Sequence, residues 1–246
     1  MAQRRGGPAP LRLQVKEDKI IAFLLGLTLA AASLDWLAVF NSWRKVEYAA
    51  KPAVMAFLFA WLAVTSHFTA VPPAWFGAGL VFSLVGDTFL MFSDRWFVLG
   101  LASFLMAQLM YVAGFNIPLP NVPPIWGFGL AVVLGLGSAR VLGRITESLG
   151  TKGMRRLVGP VMLYGMIITL MLLSALLTIF RPEWSVLASL SVCIGAFLFY
   201  LSDVVLAWNR FVHPIRNGRL VNMVLYHLGQ IALIVGVVSR FSPYFH

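Results

Sequence analysis

Eight apolar runs, each about 17–25 residues long, leave this chain little choice of environment. They cover roughly 19–40, 52–70, 74–92, 96–115, 124–143, 157–180, 184–208 and 218–240. A helix of that length crosses a hydrocarbon core about 30 Å thick, and within that core every backbone amide must be paired inside the segment. Of the 246 residues, 60% are hydrophobic and only 11% charged, against about 25% charged in a soluble domain. The sequence therefore predicts an all-α integral membrane protein, an eight-transmembrane-helix bundle. Residues 1–18 read as a mobile basic tail and residues 19–246 as a single transmembrane domain. The tail resembles the charged start of a signal peptide. The apolar run after it is long enough to span, and no small-residue cleavage site stands out, so a retained first span is expected.

Punctuation fits this division. Pro72, Pro73, Pro118, Pro120, Pro123, Pro124 and Pro182 are expected in connections, where proline ends helices. Trp43, Trp75, Trp96, Trp126, Trp184 and Trp208 fall near span ends, the position of interfacial tryptophan. The net charge of +10 is spread over the tail and the loops, an ordinary membrane-surface pattern, so no nucleic-acid partner is expected. The single Cys193 rules out an intramolecular disulfide and reads as a small buried apolar residue.

Lysine and arginine set a direction. The loops after spans one, three, five and seven, counted with the adjoining span ends that hold Arg140 and Arg219, carry twelve of them, and the loops after spans two, four and six carry Arg181 alone. The positive-inside rule then puts the basic loops and their membrane face on the cytoplasmic side, in the plasma membrane if the source is bacterial. The basic N-terminal tail runs against this orientation. Whichever way the chain inserts, spans three and seven run in the same direction.

Those two spans each carry a carboxylate: Asp87 in LVFSLVGDTFLMF and Asp203 in IGAFLFYLSDVVLAW. An acidic side chain in a hydrocarbon-bounded helix is costly and marks a functional interior or a buried polar contact. Each aspartate lies about five residues before the end of its run, which places both about 7–8 Å inside the same membrane face. Gly79, Ser83 and Asp87 share one stripe of span three, and Gly195, Phe199 and Asp203 one stripe of span seven. Small residues on such a stripe let a neighbouring helix approach. A short echo, small-Asp-x-x-Leu, links Gly86–Leu90 to Ser202–Leu206.

Other polar residues recur at helical spacing. Span four presents Phe97, Leu101, Phe104, Gln108, Tyr111 and Phe115 on one face; span eight presents Asn222, Tyr226 and Gln230. Such groups either join helices or meet a ligand. Tyr164, His227 and Lys51 carry the same two readings, with Lys51 at the mouth of span two able to neutralise a phosphate or to snorkel. Asp35 either joins this polar end or pairs with Arg44 or Lys45. Asp94 reads as a helix cap or a solvated charge, and Glu47, Glu147 and Glu183 as solvated loop residues. The chain has no G-x-S-x-G, H-E-x-x-H or P-loop motif. His67, His213, His227 and His246 do not assemble into an evident site, so neither a metal nor another cofactor is expected.

VGDTFLMF followed by FVLGLASFLMAQLMYVAGF resembles the YhhN family of membrane proteins, whose characterised members are lysoplasmalogenases. GAFLFYLSDVVLAWNRF resembles that family's second signature, Tyr226–Gln230 its closing Tyr/Gln segment, and Lys51-Pro52 and Tyr164-Gly165 further family positions. The resemblance covers spans two to eight. Two departures stand out: Gln108 where the family often has His, and Tyr226-His227 where it often has Tyr-Tyr. The resemblance implies hydrolysis of the vinyl ether bond of a lysoplasmalogen, giving a fatty aldehyde and a glycerophospho-ethanolamine or -choline. The implied partners are a lysophospholipid with one aliphatic chain and membrane lipids.

Two carboxyls suit that chemistry, as they suit the oxocarbenium-like state of glycosidases. One donates a proton and the other, ionised, faces the developing cation. The expected catalytic pair is Asp87 and Asp203, with Arg210 two turns from Asp203 favouring Asp87 as the donor. Lys51, Gln108, Tyr111, Tyr164, Asn222, Tyr226 and Gln230 are the expected substrate-binding residues. Two other classes stay open on residues alone: a proton-coupled transporter, and a non-catalytic lipid-binding membrane protein.

Overall fold

The computed structural model describes residues 11–242, with side chains from residue 19 onward. Eight long helices follow one another: α1 (Leu11–Phe40), α2 (Arg44–Ser66), α3 (Val71–Phe92), α4 (Phe97–Asn116), α5 (Pro124–Thr151), α6 (Val158–Leu176), α7 (Val186–Ala207) and α8 (Gly218–Phe241). Each, with its flanking turns, is long and apolar enough to cross a membrane. The protein is thus a multi-pass, all-helical membrane protein. The tail expected over residues 1–18 lies outside the described residues up to residue 10, and α1 already runs from Leu11.

Besides α1, two helices outrun their apolar segments. α2 begins at Arg44, eight residues before the expected start, and carries Pro52 in its interior. α5 continues to Thr151, eight residues past its apolar run. In both, the extra turns are rich in charged and polar residues, so hydropathy alone stops short of them. Pro72, Pro73 and Pro124, expected in connections, sit instead in the first turns of α3 and α5. There a missing N–H costs no helical hydrogen bond. Ser185 caps α7, its Oγ accepting from the Ala188 amide at 3.2 Å.

Consecutive helices pack as antiparallel neighbours: α1 on α2, α2 on α3, α3 on α4, then α5 on α6, α6 on α7 and α7 on α8. The two halves meet where α4 packs on α6 and where α8 packs on α1, α2 and α3. The α7–α8 contact is backbone on backbone. A Cβ on Gly195 would stand 2.4 Å from the Leu233 amide nitrogen, and one on Gly229 would stand 2.8 Å from that of Phe199. Glycine is required at both positions, because in lipid helices associate by close packing rather than by water exclusion.

α8 is the most buried span and α5 the least. Phe23, Phe40, Phe128, Leu187 and Phe197 are exposed on the outer surface, as a hydrocarbon surround requires. Trp184 departs from the interfacial pattern. It is buried, edge-on to Phe241 and tilted against Phe115, and closes one end of the core.

Candidate active site

α3 brings Gly79, Ser83 and Asp87 onto one buried face. The Gly79 position is filled not by a neighbouring helix backbone but by the Tyr111 ring of α4, 2.1 Å from where a Cβ would stand. α8 runs antiparallel to α3, and its four-residue spacing meets that of α3 in register. Tyr226 Oη donates to Asp87 Oδ2 at 2.8 Å, and one turn away Gln230 Nε2 donates to Ser83 Oγ at 3.0 Å. Tyr111 Oη completes the row by donating to Gln230 Oε1 at 2.8 Å.

The other oxygen of Asp87 faces a cation. Lys51 Nζ lies 2.9 Å from Asp87 Oδ1, and both side chains are buried. Lys51 is therefore not a snorkelling residue. Because α2 starts at Arg44, Lys51 lies two helical turns inside it, on the face turned toward α3. An unpaired charge at this depth would be strongly unfavourable, and the ion pair with a phenolic hydrogen bond removes that cost.

Asp203 has different company. Tyr164 Oη of α6 donates to Asp203 Oδ2, and Ser202 Oγ approaches Oδ1 at 3.5 Å. No cation pairs with Asp203 among the described residues. Arg210, two turns on, is engaged elsewhere: its Nη2 meets Asp94 Oδ1 at 2.8 Å, and its guanidinium lies 4.1 Å from the Phe97 ring centroid. Asp94 is thus an ion-pair partner rather than a helix cap. The turn that carries Arg210, Trp208–Val212, is π-helical, a local form frequent at functional sites. Gln108 is fully buried near the Tyr164 hydroxyl, and its amide makes no hydrogen bond of good geometry.

The two aspartates lie within electrostatic reach of each other although α3 and α7 share no extensive contact. Each is linked to a different space. A vestibule of about 480 Å³ at the basic end is lined by Lys51, the ion-pair partner of Asp87, by Asn222 and by a set of charged side chains, while Asp87 itself is buried and not part of its wall. Asp203 lines two narrow apolar clefts of about 50 Å³ each, one between α4, α6 and α7, the other between α5, α6 and α7. Leu90, Leu206 and Arg210 line both the vestibule and the first cleft, so the polar and apolar spaces are adjacent.

All nine residues singled out in the sequence lie in this part of the bundle. Asp87, Lys51, Tyr226, Gln230 and Tyr111 form one network, Asp203 and Tyr164 a second with Gln108 beside it, and Asn222 lines the vestibule. Asp35 takes the interior option. It is fully buried, 4.0 Å from His227 Nδ1 and within electrostatic reach of Lys51, rather than paired with Arg44 or Lys45. His227 Nδ1 also accepts from Trp36 Nε1 at 3.1 Å. Glu47 is the residue that sequence reasoning missed. It is no solvated loop carboxylate: it is buried in α2, ion-paired to Arg219, and lines the vestibule. Its spacing of four from Lys51 was the available signal. Among the described residues no three His, Cys, Asp or Glu side chains gather as a metal site would require.

Residues 46–237 match the YhhN family. The lysoplasmalogenase TMEM86B of Mus musculus is 30% identical over 247 residues, covering 97% of this chain and 96% of that protein. The lysoplasmalogenase TMEM86B of Homo sapiens is 33% identical over 164 residues, 67% of this chain and 63% of its own length. The lysoplasmalogenase TMEM86A of Homo sapiens is 29% identical over 180 residues, 68% of this chain and 67% of its own length. No solved structure gives a significant match.

Proposed function

We propose that this chain, which belongs to the YhhN family, is a membrane-embedded lysoplasmalogenase working through two aspartates. It would cleave the vinyl ether bond of a lyso-lipid to a fatty aldehyde and a glycerophospho-ethanolamine or -choline. The observation that carries the reading is the adjacency of a charged vestibule lined by Lys51, the partner of Asp87, and an apolar cleft lined by Asp203. We place the head group of a one-chain amphiphile in the vestibule and its vinyl ether at the boundary, with the first carbons of the chain at the cleft, whose volume of about 50 Å³ leaves the rest of the chain outside it. The names of the relatives point to the same substrate.

The environments of the two carboxyls assign their roles. Asp87, ion-paired to Lys51, is the ionised partner. Asp203, held by a phenol and with no cation paired to it among the described residues, is the proton donor. This reverses the assignment that Arg210 favoured in the sequence, because Arg210 pairs with Asp94. Asp203 gives its proton to the β-carbon of the vinyl ether, and the adjacent carbon becomes an oxocarbenium ion facing the Asp87 carboxylate. Water adds to that carbon and its proton passes to a carboxylate, leaving a hemiacetal. Collapse of the hemiacetal breaks the carbon–oxygen bond, releases the aldehyde and returns the proton to the glycerol oxygen. Tyr164 orients Asp203, Tyr226 orients Asp87, and Tyr111 and Gln230 hold Tyr226 and Ser83 in line. Gln108, buried beside the Tyr164 hydroxyl, binds the substrate's glycerol oxygens or the attacking water. The basic face that holds the site is the cytoplasmic one on the loop charges.

The test is direct. Purified protein is incubated with a vinyl-ether lyso-lipid and, separately, with its ester-linked counterpart. Aldehyde from the first and no fatty acid from the second is the expected result. Fatty acid release, or no product from either, removes the proposal.

A further inference from the structure

The vestibule contains one side chain that a pocket for an anion alone would exclude. Arg44, Lys51, Arg210 and Arg219 line it, and so does the carboxylate residue Glu47. Four residues of α2, Arg44, Glu47, Tyr48 and Lys51, follow the i, i+3, i+4, i+7 spacing that places them on one face, and all four line the cavity. The Glu47 side chain is only 5% exposed, and its ion-pair partner Arg219, from α8, is 53% exposed. The carboxylate is therefore part of the cavity wall, while about half of the side chain paired with it is exposed. A purely anionic head group would be attracted by every cation here and repelled by Glu47. A head group carrying both a phosphate and an ammonium has a partner for each.

We infer that Glu47 is a specificity residue that binds the ammonium of a zwitterionic phospho-amine head group, the phosphate being taken by the arginines of the same cavity. On binding, the ammonium replaces Arg219 on Glu47, and Arg219 turns to the phosphate. The buried carboxylate keeps its counter-charge throughout, so neither state leaves it unpaired. Tyr48, on the same face, adds an aromatic surface for an alkylated ammonium. The inference rests on the hydrolase reading of the site and adds to it the feature by which head groups are told apart.

The experiment compares vinyl-ether lyso-lipids that differ only in ending in phosphoethanolamine or phosphoglycerol. It is run on the wild type, E47Q and E47D, and repeated as a binding measurement with the matching saturated alkyl ethers, which contain no bond to cleave. The wild type is expected to favour the ethanolamine substrate about 10-fold or more, through KM. E47Q is expected to lose that preference by falling selectively on the ethanolamine substrate, and E47D to recover part of it. Equal turnover and binding of the two head groups by the wild type overturns the inference without reference to any variant. So does an equal loss on both head groups in E47Q. If no vinyl ether is cleaved but the alkyl ethers bind with the ethanolamine preference and E47Q erases it, the hydrolase reading fails and the head-group assignment stands. If both vinyl ethers are cleaved without preference, the head-group assignment fails and the hydrolase reading stands.

Discussion

Lys51 Nζ lies 2.9 Å from Asp87 Oδ1, with both side chains almost wholly buried between α2 and α3. Removing one member of such a pair strands the other. Lys51→Met is expected to destabilise the fold by about 3–5 kcal/mol, because it leaves a buried carboxylate without its cation. Lys51→Met combined with Asp87→Asn removes both charges and is expected to recover much of that loss. Thermal unfolding of the four proteins in detergent closes the double-mutant cycle. Strict additivity would mean the pair is not coupled.

Asp87→Asn and Asp203→Asn are each expected to lower aldehyde release about 100-fold or more, the scale of a lost general acid or base. The Asp203 variant is the cleaner test, because it breaks no ion pair. Preserved turnover in either folded variant would remove that aspartate from the mechanism.

Tyr164 Oη donates to Asp203 Oδ2. Tyr164→Phe is expected to lower kcat by about 10-fold with KM little changed, the pattern of an interaction that matters in the transition state. A change confined to KM would make Tyr164 a binding residue instead. Steady-state rates against lyso-lipid concentration distinguish the two.

Much of this was legible in the residues. Run length set the number of spans, and the shared direction of α3 and α7 put Asp87 and Asp203 near one face. Four-residue spacing aligned Tyr226 and Gln230 with Asp87 and Ser83. What was not legible has a common cause. Hydropathy ends where polar residues begin, so the sequence places the first turns of α2 in a loop, and with them a solvated Glu47 and a Lys51 at the interface. Only the packing of α8 against α2 reveals that Arg219 covers Glu47. Likewise Arg210 is close to Asp203 in sequence, yet the turn at Trp208–Val212 directs it to Asp94.

The α7–α8 contact depends on Gly195, whose Cβ position is 2.4 Å from the Leu233 amide nitrogen. Backbone cannot yield as a side-chain end does. Gly195→Ala is expected to destabilise by about 1–3 kcal/mol, the usual cost of overpacking, and to lower activity by shifting Tyr226. A variant as stable as the wild type would show that the two helices separate freely.

Outside the spans, Arg181 ties the α6–α7 connection to α4. Its Nη1 donates to the Phe115 carbonyl at 2.6 Å and its Nε to Glu183 Oε1 at 2.8 Å. Partial burial pushes the Glu183 carboxyl up, but its own backbone amide and Arg181 outweigh that and hold it below the usual carboxylate range. A lowered folded-state pKa stabilises above the unfolded carboxyl's pKa, and the contribution fades as pH falls through the folded one. Glu183→Gln should therefore melt below the wild type at neutral pH, with the difference closing in acid. A difference that grows in acid would contradict the ion pair. Glu183 is partly exposed, so the effect is small.

The central claim is that an aspartate in the bundle delivers a proton to carbon. Turnover of a vinyl-ether lyso-lipid in heavy water, with immediate trapping of the aldehyde and mass analysis, reads that step. The account predicts a single deuterium on the carbon next to the aldehyde group, and about 100-fold or more less aldehyde from Asp203→Asn. Aldehyde without that deuterium, or labelled aldehyde at wild-type rate from the variant, would contradict it.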